Sequence, residues 1–594
     1  MFVKVKVRFF IQEIRGCSNR IILVNRILKR GIILVFVVLF IRVVFVGLIS
    51  CGEVVCFELE IPRNGTWIIS IPLLVDWYSL IFFLVVLVIS ASVMVYRVAY
   101  IQHEVYLKRF GDLVVLFVLS ISIYVFVPNF IGLIIGWDGL GLVSFLLVIY
   151  YRDHSSLMAG KRTFLTNRVG DALLILRLGL IIEFSTWGYF DLEEQLLGFF
   201  LIGLVVVGRT TKSAQFPFSA WLPDAIAAPT PVSALVHSST LVTAGVFMLI
   251  RFSGCFDGIW RVYLLRVAGF TVVWAGVIGF NCIDLKKLVA FSTIRQLGLI
   301  IVSLGCGAVK VCFFHLVVHA FFKALIFLCV GIVIFFRGGV QDFRLISGLW
   351  YKVPVRLGWL MICSFSLIGL PFISGFYSKD LLLEMYYLGG GVVRRIIILV
   401  FGVIFTSAYV LRFLWKLCCV EDFYVFRSSY EDGVYNILPL FILGVCSIWV
   451  SYVLQVHIID FCNYLVLRLR FKLLTLLCVI LGAGVFFIFQ ISERTFSIRK
   501  LSSFFKKSLL FSLWFKSIRL LSFGSGDSLS SIFISRVKGV ILVNVEKGWV
   551  ENLFWGSGLR EMVYFMISFV RRGLLKEIGV GLFFGVVFLF IIFS

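Results

Sequence analysis

Residues 211–251 read TKSAQFPFSAWLPDAIAAPTPVSALVHSSTLVTAGVFMLIR, and this stretch decides the fold class. Its charged residues are Lys212, Asp224 and Arg251, so most of it belongs in an apolar medium. The apolar run that enters it from residue 195 is interrupted by Lys212, Pro217 and Pro223; a second run, 232–250, is not interrupted. Proline removes an amide donor and breaks a helix. Irregular backbone at membrane depth is tolerated only beside protein or a water-filled cavity. The stretch predicts one broken and one intact membrane helix, with an ionisable group at the break.

The rest of the chain agrees. Of 594 residues, 61% are apolar and 14% charged, with a mean hydropathy of +1.08. Soluble domains are about 45–50% apolar and about 25% charged. A soluble enzyme, a disordered tail and a secreted scaffold are excluded, and a polytopic membrane protein remains. The net charge is +24. The basic residues sit mostly between apolar runs, the pattern of inside-facing membrane loops rather than of a nucleic-acid surface. Fourteen cysteines include no CxxC pair and no metal-ligand spacing with His. They are expected as small core hydrophobes, with neither an iron–sulfur cluster nor a structural zinc. Ten prolines and six histidines beside 64 phenylalanines suggest a cytosine-poor coding sequence, as in an organelle genome.

A crossing needs about 20 apolar residues. Fifteen spans are expected: 31–51, 72–96, 112–128, 129–151, 163–184, 195–222, 232–250, 262–281, 288–306, 310–336, 355–385, 393–416, 434–457, 470–491 and 578–594. The sixth is interrupted at Lys212, Pro217 and Pro223, and the eleventh by Pro371, Gly375 and Lys379. Segment 1–30 carries Lys4, Lys6, Arg8, Arg15, Arg20, Arg26, Lys29 and Arg30 against Glu13 alone, which places it inside. A targeting peptide is the other reading of that segment. Every second loop then lies inside. Loops 97–111, 152–162 and 337–356 are basic, whereas 52–62 and 185–195 hold no Lys or Arg. Segment 492–577 interleaves Lys and Arg with Phe, Leu and Trp. It is too polar to span and reads as an interfacial amphipathic helix, with a basic linker as the alternative.

Ionisable groups inside spans are expensive and usually functional. They are Asp138 in GWDGLG, Asp171 in NRVGDALL, Lys212, His237 in PVSALVHSST, the set His315, His319 and Lys323 in FHLVVHAFFKAL, and Lys379 with Asp380 in SGFYSKDLL. His315, His319 and Lys323 stand at i, i+4 and i+8, on one helix face. Each residue alone has a bland role: snorkelling for a lysine, helix-packing hydrogen bonds for His315 and His319, a cap for Asp138, and pairing of Asp380 with Lys379. Together they are what proton movement requires. A lysine taken out of water holds its proton less firmly, a nearby carboxylate restores the hold, and imidazoles bridge gaps through two ring nitrogens. The sequence contains no P-loop, no phosphorylation motif and no Gly-rich dinucleotide turn, so the driving force must come from elsewhere.

The 211–251 run, with GWDGLGLVSFLL, NRVGD, DLKKLVAFSTIRQLG, FHLVVHAFFKALIFLCVG and GFYSKD, closely resembles the chain 5 family of NADH:ubiquinone oxidoreductase (respiratory complex I) over residues 72–415. That family is grouped with antiporter-like subunits of bacterial complexes and of multisubunit sodium/proton antiporters. NRVGD and GFYSKD favour chain 5 over chain 4, and KGWVENLFWGSGL at 547–559 looks like the family's C-terminal region. The resemblance implies an all-α polytopic fold. Segment 31–100 would hold N-terminal helices, 101–255 and 256–416 two inverted five-helix repeats, and 417–491 additional helices. A lateral amphipathic helix would follow at 492–577 and an anchor span at 578–594.

The function implied is a proton-translocating membrane-arm subunit in the mitochondrial inner membrane, with the N-terminus and lateral segment on the matrix side. Its partners would be other membrane-arm subunits, especially antiporter-like neighbours along the lateral helix, and the lipid bilayer, with no nucleic acid. The chain itself would bind no cofactor. NADH, flavin, iron–sulfur clusters and ubiquinone would belong to partner subunits. Asp138 and Lys212 would form the carboxylate–lysine pair of the first half-channel. Lys323 would be the central relay, His237, His315 and His319 would line the water path, and Lys379 would be the exit-side lysine. Asp171, Lys286, Lys287 and Asp380 are further relay or coupling candidates.

This sequence departs from the family pattern in several places. Asp138 stands where Glu is usual, Ala227-Ala228 where an acidic–glycine pair is usual, and Arg295 where the residue is small or polar. Arg42 and Arg177 also fall inside spans, and the family's further N-terminal helix is replaced by the basic segment 1–30. Two rivals remain: a sodium/proton antiporter subunit, disfavoured by a chain that ends in one lateral segment and one span, and a transport-inactive scaffold, disfavoured by the intact Asp–Lys–His set.

Overall fold

The computed structural model describes residues 55–61, 69–101, 106–182, 196–256, 258–346, 348–349, 353–388, 393–418, 434–458 and 469–495. The expected spans 31–51 and 578–594, the basic segment 1–30, Arg42 and nearly all of the lateral segment lie outside them. Among the described residues the fold is helical, and nine helices are long and apolar enough to cross a membrane.

A hairpin opens the described chain. Strands β1 (Val55–Ile61) and β2 (Ile69–Val75) pair antiparallel, Val55 opposite Val75 and Ile61 opposite Ile69. The expectation of a span beginning at residue 72 is corrected here. Its first residues are strand: Pro72 disfavours a helix interior, and Asp76 caps the helix that begins at Trp77. Helix α1 (Trp77–Tyr100) starts with a reciprocal capping box: the Ser79 amide donates to Asp76 Oδ1 and the Asp76 amide to Ser79 Oγ, each at 3.0 Å. At its other end, α1 absorbs Arg97, expected in a loop, and buries it 5.7 Å from the Phe110 ring.

Helices α2 (Leu107–Phe126), α3 (Phe130–Val148), α4 (His154–Ile182) and α5 (Leu196–Lys212) come next. The first break comes directly after Lys212. A short helix α6 (Trp221–Ala225) lies within it, and the chain resumes as α7 (Thr230–Arg251), which contains a π-helical turn at Ser233–Thr240. Helices α8 (Gly258–Asn281), α9 (Leu285–Gly305) and α10 (Val309–Phe336) are continuous.

The second break separates α11 (Pro354–Ile368) from α12 (Ser374–Leu388). Gly369 ends α11 in the left-handed conformation at φ 87°, a helix terminator only glycine adopts freely. Gly375 lets α12 lie against α11: a Cβ there would sit 1.7 Å from the Ser366 carbonyl oxygen. Helices α13 (Val393–Cys418), α14 (Val434–Ile458) and α15 (Leu469–Thr495) complete the described chain.

Helix α10 is the centre of the bundle. Every residue from Val311 to Ile334 is buried, and the helix packs on α1, α7, α9, α11, α12 and α14. A helix apolar all round is a core helix, so polar groups on α10 face protein. By contrast, α14 exposes Leu438, Ile442, Val445, Trp449 and Tyr452 along one stripe. That face suits lipid, which is as apolar as leucine.

Candidate functional site

Two clusters of ionisable groups stand at the two breaks. In the first, Lys212 is the last residue of α5. Its Nζ donates to the Trp137 carbonyl of α3 at 2.5 Å and lies 3.7 Å from the centre of the Trp137 ring. Trp137 Nε1 in turn donates to Asp171 Oδ1 of α4 at 2.7 Å. Arg168, three residues before Asp171 on the same helix face, pairs with Asp171 at 3.1 Å and reaches Asp138 at 3.7 Å. Arg209, one turn before Lys212, donates to the Tyr124 hydroxyl at 2.8 Å and lies 4.6 Å from the Trp137 ring centre. Gly170 allows this proximity, since a Cβ there would meet Thr211 Oγ1 at 2.3 Å.

The structure does not bring Asp138 into ion-pair contact with Lys212. Both expected partners are in the cluster, but Arg168 takes the Asp138 carboxylate, and the carboxylate linked to Lys212 is Asp171, through Trp137. Lys212 and Asp171 are buried, whereas the Arg168 and Asp138 side chains are 37 and 30% exposed, so the cluster runs from the core to the chain's edge.

The second cluster runs along α10. Lys323 Nζ donates to Ser292 Oγ of α9. His319 is buried one turn before it, with neither ring nitrogen hydrogen-bonded, and its ring centre is 6.3 Å from that of His315. His315 places Nδ1 2.9 Å from Ser378 Oγ of α12 and Nε2 3.3 Å from Gln296 Oε1 of α9. Beside Ser378, Lys379 Nζ donates to the Ile368 carbonyl at 2.6 Å and the Leu367 carbonyl at 3.4 Å. Those are terminal carbonyls of α11, left without amide partners by the break, and the helix dipole there favours a cation. Asp380, partly buried, makes no ion pair with Lys379 among the described residues.

His237 lies on the π-helical turn of α7, buried, with both ring nitrogens unpartnered and its ring centre 6.2 Å from that of Trp221. Such turns recur at functional sites. Lys286 is buried with Nζ 3.5 Å from the Ala228 carbonyl, at the Ala227-Ala228 departure. Lys287 is exposed and pairs with Asp284 at 3.1 Å. Of the arginines in spans, Arg177 stacks 4.4 Å from the Phe130 ring and 5.0 Å from the Phe252 ring. Arg295 is fully buried beside Tyr409, within electrostatic range of Lys323 and Lys379.

Sequence reasoning missed Trp137, Arg168, Arg209, Ser292 and Ser378. Arg168 carried a signal, its i,i+3 spacing to Asp171. Trp137 and Ser378 stood next to residues already singled out. Among the described residues, no group of three or more His, Cys, Asp or Glu could hold a metal ion.

Residues 128–406 match the family described as NADH:quinone oxidoreductase/Mrp antiporter, TM, and residues 62–111 match NADH-Ubiquinone oxidoreductase (complex I), chain 5 N-terminus. NADH-ubiquinone oxidoreductase chain 5 of Mytilus edulis is 37% identical over 559 residues, 90% of this chain and 95% of that one. The chain belongs to the NADH-ubiquinone oxidoreductase chain 5 family.

The Anopheles gambiae chain 5 is 36% identical over 521 residues, 86% of this chain and 87% of that one. Among solved structures, one from the Mrp complex of Dietzia sp. DQ12-45-1b superposes with a TM-score of 0.65 at 24% identity, over 85% of this chain and 59% of that one. A second, from the membrane-bound sulfane sulfur reductase, an archaeal respiratory membrane complex, gives a TM-score of 0.63 at 19% identity, over 76% of this chain and 92% of that one. These two are likenesses of fold. Every chain 5 candidate residue, from Asp138 to Asp380, lies inside the 128–406 match.

Proposed function

We propose that the chain is a proton-translocating membrane-arm subunit of complex I, and that electron transfer from NADH to ubiquinone takes place on cofactors held by partner subunits. One observation carries the reading: a buried lysine stands at each helix break, Lys212 as the last residue before the first and Lys379 against the carbonyls that end α11 at the second, and from Lys379 a line of His315, His319 and Lys323 runs up the fully buried α10. Buried ionisable groups with no structural counter-ion are what a reversible proton load needs. Lys212 would exchange charge with Asp171 and Asp138 in the first half-channel. Lys323 and the histidines would relay it, and Lys379 would pass it out. Lys287, exposed and paired, is left out of this path.

On the same reading, fifteen spans and two inverted repeats lie in the mitochondrial inner membrane, with the basic N-terminus and segment 492–577 on the matrix side. Cleavage of either segment by protease added to intact mitoplasts from the intermembrane side would refute that direction. The function itself is tested with Lys212→Met and Lys379→Met in the assembled complex. Both should keep electron-transfer subunits in place and lower the proton-to-electron ratio. A parental ratio and rate in either variant would falsify the relay assignment.

A further inference from the structure

Trp137 contacts both members of the buried acid–base pair. It is fully buried at the middle of α3. Its backbone carbonyl accepts from Lys212, its ring takes the Lys212 ammonium at 3.7 Å, and its indole N–H donates to Asp171 at 2.7 Å. Lys212 and Asp171 make no direct hydrogen bond or ion pair. We propose that Trp137 is a positioning residue that couples the charge of Lys212 to the placement of Asp171. The inference rests on the reading of Lys212 as a proton carrier.

The physics is asymmetric. An aromatic face attracts an ammonium through its quadrupole and has no comparable attraction for a neutral amine. Lys212 therefore pulls on the Trp137 ring only while protonated. Arg209, anchored by the Tyr124 hydroxyl, lies 4.6 Å from the same ring and stays charged throughout. The ring thus has one permanent cation and one switchable one. When Lys212 is neutral, the balance tilts towards Arg209, and the N–H at the ring's edge moves with the ring. The indole N–H is a donor only, and its bond to a carboxylate is charge-assisted, hence geometrically demanding. Asp171 has a second partner, Arg168 at 3.1 Å, which also reaches Asp138. A small turn of Trp137 therefore frees Asp171 from the indole and leaves it to Arg168 alone. The charge of Lys212 is reported to the partly exposed edge of the cluster without Lys212 and Asp171 meeting.

The test separates face from edge. Trp137→Phe keeps an aromatic face and removes the Nε1 donor; Trp137→Leu removes both. In the assembled complex, Trp137→Phe should lower coupled proton pumping about tenfold, the loss of one charge-assisted bond, and should alter the pH profile of pumping. Trp137→Leu should lower it further. Combining Trp137→Phe with Asp171→Asn should be no worse than Asp171→Asn alone, because the donor acts through that carboxylate. A parental pH profile and pumping rate in Trp137→Phe overturn the proposal, as do additive losses in the double variant. Equal losses in the Phe and Leu variants overturn the ring's part in it. Lys212→Met separates the two readings: if it pumps normally, the relay reading fails, and if it is impaired while Trp137→Phe is parental, the Trp137 inference fails alone.

Discussion

The ion pair between Asp76 and Arg251 should hold the start of α1 to the end of α7. Arg251 Nη1 and Nη2 donate to the two Asp76 oxygens at 2.5 and 2.7 Å, a bidentate pair, while Asp76 Oδ1 also caps the Ser79 amide. Asp76 is 6% exposed and the Arg251 side chain 22%. Removing one partner of a fully buried pair costs roughly 3–5 kcal/mol. Arg251 keeps some contact with solvent, so Arg251→Met should cost about 2–3 kcal/mol. Asp76→Ala loses the cap as well, about 1 kcal/mol more. The double variant should cost about 2 kcal/mol less than the sum, because each single change strands the same partner. Amide hydrogen exchange reads this locally. In the assembled complex, Arg251→Met should speed exchange at Ser79 and Leu80 by roughly 30-fold or more, the factor that 2 kcal/mol represents. Exchange within twofold of the parent, or additive effects in the double variant, would show that the pair does not hold the two helix ends together.

Three further outcomes are expected. Gly375→Ala should abolish accumulation of the subunit in the complex, because the new Cβ would sit 1.7 Å from a backbone oxygen; Gly254→Ala, with nothing within 4 Å, is the control, and equal accumulation on a native gel contradicts the packing. Asp171→Asn should uncouple pumping strongly and Asp380→Asn little, since Lys379 bonds to the Ile368 carbonyl and not to Asp380; equal proton-to-electron ratios would reverse that assignment. In the loop after α10, the Arg344 Nη2 and Nε donate to the Asp342 carboxylate at 2.6 and 3.1 Å and hold it below its ordinary value of 3.8. A carboxyl lowered in the folded state contributes fully above the unfolded value and is lost as pH falls through the folded one. Proteolysis at Arg344 should therefore rise only below about pH 4, and a rise between pH 5 and 7 speaks against the clamp.

The membrane helices were legible because hydrocarbon admits few sequence patterns. Their approximate positions follow from apolar length, and the two breaks from Pro217 and from Pro371 with Gly375. What failed did so where hydropathy is silent about hydrogen bonding. Strand β2 is as apolar as the helix after it, so ISIPLLV merged with α1, although Pro72 and Asp76 mark the boundary. Arg97 looked like a loop charge because a cation–aromatic contact across helices leaves no trace in local composition. In the site, Lys212, His315, His319, Lys323 and Lys379 stood out as ionisable groups in apolar runs. Trp137, Ser292 and Ser378 are ordinary membrane residues by composition, and only packing gives them partners. Which carboxylate the packing links to Lys212 was not readable either. Asp138 and Asp171 lie on different helices, and Arg168, on the helix of one, claims the other.

The two lysines at the breaks are held in physically different ways, and the difference bears on where control can enter. Lys379 bonds to the terminal carbonyls of α11, which are backbone and are fixed by the helix and by the Gly375 contact. A helix terminus cannot swing away from its cation. Lys212 is held by one backbone carbonyl and by a ring, and that ring is tied to a carboxylate which is tied to an arginine. Side chains of that kind have alternative rotamers and alternative partners. The last two members, Arg168 and Asp138, reach the edge of the described chain. On the proposed function, a partner subunit that touched Arg168 would reach Lys212 by displacing one side chain, whereas an effect on Lys379 would require moving α11 against α12. On the proposed function, side-chain exchange at the first break and relay to a fixed terminus at the second would put the mobile partner where a signal is received and the rigid one where a proton is released.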